Sequence, residues 1–194
     1  MPSSTTGLRP SGTSSGGIML ELVDEHGTTI GTAEKVSAHQ PPGQLHRAFS
    51  VFLFDTDGRM LLQRRALGKY HSPGVWSNAC CGHPYPSEPP FLAAARRIFE
   101  ELGIAPSLLQ EAGTARYNHP DPVSGLVEQE YNHLFVGYVT AEPRPDPEEI
   151  AETAFVTAQE LAALRESAAF SAWFPTVLEA ALPAIRKLVG TTGW

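Results

Sequence analysis

The chain has 194 residues, with 14 basic and 21 acidic side chains, a formal net charge of −7, and 42% apolar residues. That suffices for one α/β domain with a sizeable core and is too little for two with comfort. A net-acidic chain without a basic block is a poor match to a nucleic-acid backbone, and no apolar run reaches the ~20 residues of a membrane-spanning helix.

The first seventeen residues, rich in Ser, Thr and Gly, read as a disordered tail lacking the apolar segment of a signal peptide. Ile18–Val23 alternates as a strand, Glu25-His26-Gly27 turns, and Thr28–Val36 returns as a second strand. Gln40-Pro41-Pro42-Gly43 breaks the chain. Ala48–Phe54 and Arg59–Arg64, joined at Asp57-Gly58, read as a hairpin. Tyr85–Pro90 is a loop. Pro90–Leu102 is the clearest helix: Phe91, Ala94, Ile98 and Leu102 share a face, Pro90 suits the first turn and Gly103 the residue past the end. Ala112–Asn118 and Val127–Val139 read as strands, and Ala141–Pro147 as a Pro-rich loop. Thr157-Ala-Gln-Glu160 has capping-box spacing and opens a helix to about Glu166. A last helix covers about Phe174–Val189, kinked at Pro183. Strands flanked by helices, without repeat or linker, point to one α/β sandwich.

Four groups of residues carry chemistry. Cys80 and Cys81 are adjacent and cannot staple distant segments, so the thiols fit a reducing compartment, most simply the cytosol. In an extended Cys80–His83, Cys81 and His83 share one face and Cys80 takes the other. A partly exposed thiol beside His and metal can move protons, although most unpaired Cys are small core residues. Glu128 and Glu130, two apart in a strand, aim at one place; such a pair needs a cation or a shared proton, unless the strand face is simply solvated. His39 and His46 flank the Pro/Gly break, and with His83 and the two carboxylates they suit a divalent ion; Zn²⁺, Mn²⁺ and Mg²⁺ all stay open. His26, His71, His119 and His133 read as surface residues.

The fourth group surrounds the clearest helix. Gly82, Glu88, Arg96, then Arg97-Ile98-Phe99-Glu100-Glu101-Leu102-Gly103-Ile104 reproduces the spacing of the Nudix box, which it resembles, with Arg97 where the box has Glu. In Nudix hydrolases the box acids hold Mg²⁺ against a diphosphate. Exchanging one carboxylate for a guanidinium removes a ligand and adds a bidentate clamp for phosphate oxygens. The bland reading is a surface ion pair of Arg97 with Glu101 at i, i+4.

The segments EKVSAHQPPGQLHRAFS, QRRALGKYHSPGVWSNACCGHP, AARRIFEELG, ARYNHPDPVSGLVEQE and FSAWF, in that order, are similar to the type 1, metal-dependent isopentenyl-diphosphate isomerases. The resemblance spans about Glu21 to Leu182. It implies a single Nudix-type α/β/α sandwich with a mixed sheet over residues 18–190. It implies Cys81 and Glu130 as catalytic residues, with Tyr117 hydrogen-bonded to Glu130 and Trp173 facing the hydrocarbon. It implies a metal site of His39, His46, His83, Glu128 and Glu130. A Mg²⁺ would be held by Glu101, the Cys81 carbonyl and the substrate diphosphate, and Lys35, Arg65, Lys69 and Arg97 would surround that diphosphate. It further implies a cytoplasmic enzyme, a monomer or small homo-oligomer, whose partner is a small prenyl diphosphate rather than nucleic acid or membrane.

Such a reaction protonates an unactivated alkene and removes a proton from carbon 2, so it needs two placed proton-transfer groups. Which of Cys81 and Glu130 is acid and which base stays open, because the reaction is reversible. The cationic intermediate needs an electron-rich aromatic face and exclusion of water. Two rival readings remain: a Nudix diphosphohydrolase on a nucleotide or prenyl diphosphate, and a metal- or diphosphate-binding module without catalysis.

Overall fold

The segment His46–Phe54 is buried at every residue but Arg47. A strand can be buried on both faces only between two layers, and its alternate side chains then enter two different cores. Phe52 and Phe54 join one cluster, with Phe174, Val177, Ala181 and Ile185. Phe49, Val51 and Leu53 join the other, with Ala93, Ala94, Ile98 and Leu102. This is the expected α/β/α arrangement. Each fully buried Phe, Leu or Ile contributes roughly 1.5–3 kcal/mol of transfer free energy.

The computed structural model describes residues 17–69, 71–190 and 193–194; most of the expected tail lies outside the described residues. In chain order the elements are β1 (Met19–Val23), β2 (Thr29–Glu34), α1 (Lys35–His39), β3 (His46–Phe54), β4 (Met60–Arg65), β5 (Trp76–Asn78), β6 (Cys80–Gly82), α2 (Pro90–Leu102), β7 (Leu108–Pro120), β8 (Val127–Tyr138), β9 (Ile150–Val156), α3 (Ala158–Ser167) and α4 (Phe174–Val189). The strands form one mixed sheet. β8 lies parallel to β3 in a register that sets His46 opposite Glu130. β7 pairs antiparallel with β8 and sets Tyr117 opposite Glu130.

The expected hairpin turn at Asp57-Gly58 is present, but β3 and β4 pair only at its neck, Phe54 with Met60. Beyond it they splay. β4 pairs with β5 and β9, whereas β3 pairs with β6. The chain therefore crosses the splay between Trp76 and Gly82, and Asn78 fastens the crossing by donating from Nδ2 to Val51 O (3.1 Å) and Cys80 O (2.7 Å).

α2 begins and ends as expected, with Gly103 in the left-handed region at φ 63°, where a Cβ would meet Arg144 O at 2.8 Å. Phe91 differs from expectation. It is 42% exposed, while Ala93 takes the buried position. The Thr157 capping box is formed, and α4 runs helical through Pro183. Several elements depart from the sequence reading: the strand expected to run to Val36 stops at Glu34 and turns into α1, β7 is longer than expected, and β5 and β9 are additional strands on β4.

Candidate active site

The splay and the parallel β3–β8 pair bring five donors together. His39 ends α1, His46 opens β3, His83 follows β6, and Glu128 and Glu130 lie two apart on β8. One ligand atom from each lies within 4.8 Å of all the others, and four of the five residues are buried. Backbone carbonyls orient two of the rings: His39 Nδ1–H donates to Lys35 O (2.6 Å) and His46 Nδ1–H to Gln44 O (2.8 Å). That assignment leaves their Nε2 lone pairs turned inward. His46 Nε2 and His83 Nε2 face each other at 3.2 Å, and His39 Nε2 is buried without a hydrogen-bond partner. Burial holds His46 down at about 4 and His83 at about 3, so both stay neutral near pH 7. Three inward imidazoles and two carboxylates fit a divalent cation, which supplies the charge that would otherwise be missing between two buried acids.

The two carboxylates differ. Burial, then Glu130, pushes Glu128 up to about 7. Glu130 is pushed up by burial but held well below the usual range by the His83 hydrogen bond and charge. Its Oε2 also accepts from the Tyr117 hydroxyl and from Asn132 Nδ2 (2.8 Å), and Asn132 Nδ2 reaches Tyr117 Oη at 3.0 Å. This closed buried triangle fixes the Glu130 head.

One pocket opens onto this group. Lys35, Arg65, Lys69, Arg97, Cys81, His83, Glu101, Glu128, Glu130 and Trp173 all contribute to its wall. The alternation read from the sequence holds: Cys81 and His83 face the pocket, and Cys80 is fully buried in the α2 core. Burial pushes the Cys81 thiol up to about 12, so it carries its proton near pH 7. Trp173 is 4% exposed, and the Arg65 guanidinium lies over its ring at 5.5 Å.

At the other end Arg97 meets Glu101 (2.6 Å), Glu100 (2.8 Å) and Glu149 (3.2 Å). The remaining box acid, Glu88, is taken by Arg96 at 2.8 Å. Glu149 also pairs with Lys69. Against the upward push of burial, Lys69 and Arg97 hold Glu149 at about 2, an anion seated among the site's cations.

A NUDIX domain model matches residues 44–175. A Streptomyces griseus protein named isopentenyl-diphosphate Delta-isomerase is 72% identical over all of this chain and 98% of its own length. The chain belongs to the NUDIX-domain isopentenyl-diphosphate Delta-isomerase family. A Nocardia farcinica member of that family is 47% identical over 88% of this chain and 98% of its own. Fold similarity reaches further. Deinococcus radiodurans DR0079 superposes with a TM-score of 0.68 at 18% identity, over 84% of this chain and 98% of that one. The MutT protein of Methanosarcina mazei gives 0.58 at 19% identity, over 72% and 95%.

Asn132, which holds Glu130 and Tyr117, escaped the sequence reading of the site, as did His71 and Glu149. His71, read as a surface histidine, is 5% exposed, donates to Glu128 and lines the pocket. Glu149 lies just beyond a Pro-rich stretch and carries no motif; its place follows from Ile150, where β9 begins on β4. His26 is exposed as expected, His119 is partly buried and bonded to Thr176, and His133 accepts from Arg47. Among the described residues no helix is long and apolar enough to cross a membrane.

Proposed function

We propose that this protein interconverts isopentenyl diphosphate and dimethylallyl diphosphate, with Cys81 and Glu130 as the two proton-transfer groups. The observation that carries the reading is one pocket wall holding a protonated thiol, a fixed carboxylate, a buried aromatic ring and five cationic side chains, of which Arg96 is taken by Glu88. Lys35, Arg65, Lys69 and Arg97 bind the diphosphate as a handle, Arg97 exchanging its carboxylate partners for phosphate oxygens of like charge and geometry. The five-carbon chain then lies toward Cys81, Glu130 and Trp173. One of the pair protonates the terminal alkene carbon and the other takes a proton from carbon 2; the reverse direction exchanges the parts. Tyr117 and Asn132 keep the Glu130 head from rotating. Trp173 offers its negative ring face to the tertiary cation, worth roughly 0.5–2 kcal/mol, and its bulk keeps water from trapping that cation.

His39, His46, His83, Glu128 and Glu130 would hold Mn²⁺, Zn²⁺ or Mg²⁺, and Glu101 with the Cys81 carbonyl would hold a Mg²⁺ that arrives with the diphosphate. When bound, such ions withdraw electron density from Glu130 and neutralise phosphate charge. The protein acts as a monomer or small homo-oligomer in the cytoplasm.

The test is phosphorus and proton NMR of the purified protein with isopentenyl diphosphate and Mg²⁺ in D₂O. New dimethylallyl methyl signals over an intact diphosphate support the isomerase. Release of phosphate would move the reading to a diphosphohydrolase, and no change with Mg²⁺, Mn²⁺ or Zn²⁺ to a binding module.

A further inference from the structure

His71 sits in the segment between β4 and β5, where side-chain bonds hold the backbone. Arg65 donates from Nε to Ser72 O (3.0 Å) and from Nη2 to His71 O (3.1 Å). Ser72 N–H donates to Asp121 Oδ2 at 3.2 Å, tying the segment to the turn that precedes β8. Ser72 stands at φ 47°, a conformation that a serine adopts only when its surroundings hold it there. The result is a buried imidazole aimed at two parts of the site. Its Nε2–H donates to Glu128 Oε1, while Glu128 Oε2 faces His39 Nε2 at 3.3 Å. Its ring stands edge-on to Trp173, with centroids 5.2 Å apart and planes at 72°.

We propose that His71 is a positioning residue. It anchors one oxygen of Glu128, so that the other is presented to the cation site, and it braces Trp173 against the pocket. The proposal rests on the reading of His39, His46, His83, Glu128 and Glu130 as a metal site. A carboxylate can rotate and offer either oxygen or both to a cation. A donor on the outward oxygen removes that freedom before the cation arrives, and loss of such a partner typically weakens metal binding about 10–100-fold.

The test uses the full chain without substrate, loaded with Zn²⁺ or Mn²⁺ and titrated with a competing chelator. His71→Phe keeps the bulk against Trp173 and removes the donor; His71→Gln replaces the ring with an amide N–H. Metal affinity falls about 10–100-fold in His71→Phe and stays within about threefold of wild type in His71→Gln. Unchanged affinity in His71→Phe overturns the proposal. So does an equal loss in both variants, which would assign the effect to packing rather than to the donor. If His71→Phe does not fold, His71→Asn, too short to reach Glu128, takes its place under the same criterion. Because the readout is metal affinity alone, a failed isomerase assay leaves the outcome standing. An active isomerase whose His71→Phe variant binds metal like wild type still overturns it.

Discussion

Removing the Arg97 guanidinium isolates a buried acid. Glu101 is 4% exposed, and Arg97 at 2.6 Å is its charged partner; Gln63 Nε2 at 3.3 Å is a neutral second donor. Breaking a buried pair by deleting one member costs about 3–5 kcal/mol, and because Arg97 is a quarter exposed the lower end applies, about 3 kcal/mol. For a chain of this length that is a fall of about 6–12 °C in melting temperature for Arg97→Ala. The pH dependence follows from the same group. Burial already raises Glu101, and Arg97 pulls it back. Without Arg97 it rises further, so the folded state keeps a proton that the unfolded state has lost. Stability then falls as pH rises, and the deficit is largest near neutrality and shrinks as pH falls toward about 5. Denaturant unfolding of both proteins at about pH 5 and about pH 7.5 measures this directly. A variant as stable as wild type near pH 7.5, or a deficit that does not change with pH, would refute the reasoning. In the assay for isopentenyl diphosphate the same variant raises KM by about tenfold or more, the loss of one charge-assisted bidentate contact; an unchanged KM removes Arg97 from the diphosphate site.

Three further outcomes are expected. Tyr117→Phe takes one donor from Glu130 and one acceptor from Asn132, a loss of about 1.5–3 kcal/mol; kcat falls about 10–100-fold while KM moves less than about twofold, and a KM-dominated effect would place Tyr117 on substrate instead. Trp173→Leu keeps an apolar wall and loses the ring face, so kcat falls roughly 2–30-fold; a rate equal to wild type would exclude a cation-stabilising role. Glu149 has an ordinary value of 4.5 when unfolded and is held at about 2 when folded, so its stabilisation is present above 4.5 and is lost as pH falls toward 2. At about 3 kcal/mol it steepens acid unfolding, and Glu149→Gln, melted across that range, shows a flatter acid arm; a profile parallel to wild type would contradict the pairing.

Local rules made the functional helix and the strand faces legible. Pro90, Gly103 and the spacing of Ala94, Ile98 and Leu102 define α2 without help from the rest of the chain. Period-two alternation placed Cys81 with His83, and Glu128 with Glu130, on shared faces before any fold was known. Contacts distant in sequence were not legible. Lys35 and Val36 read locally as the end of a strand, but Glu34 caps a short helix over Lys35–His39 by accepting from Ser37 N–H (3.0 Å), and that helix delivers His39. β9 has only weak alternation, and it is a strand because β4 offers it an edge. His71 reads as a surface residue because nothing near it in sequence explains its burial; its partner Glu128 is 57 residues away. Spacing alone puts Phe91 on the core face, yet it lies at the helix margin against Phe135, with ring centroids 5.9 Å apart.

The central claim is that Cys81 and Glu130 are the two groups that move protons. It is tested most directly by following isopentenyl diphosphate in D₂O by NMR with wild-type protein, Cys81→Ala and Glu130→Gln. Wild type should accumulate deuterated dimethylallyl diphosphate, and each variant should lose at least about a hundredfold in turnover, the low end of what a positioned acid or base supplies. A wild-type-like rate in either variant would contradict the account.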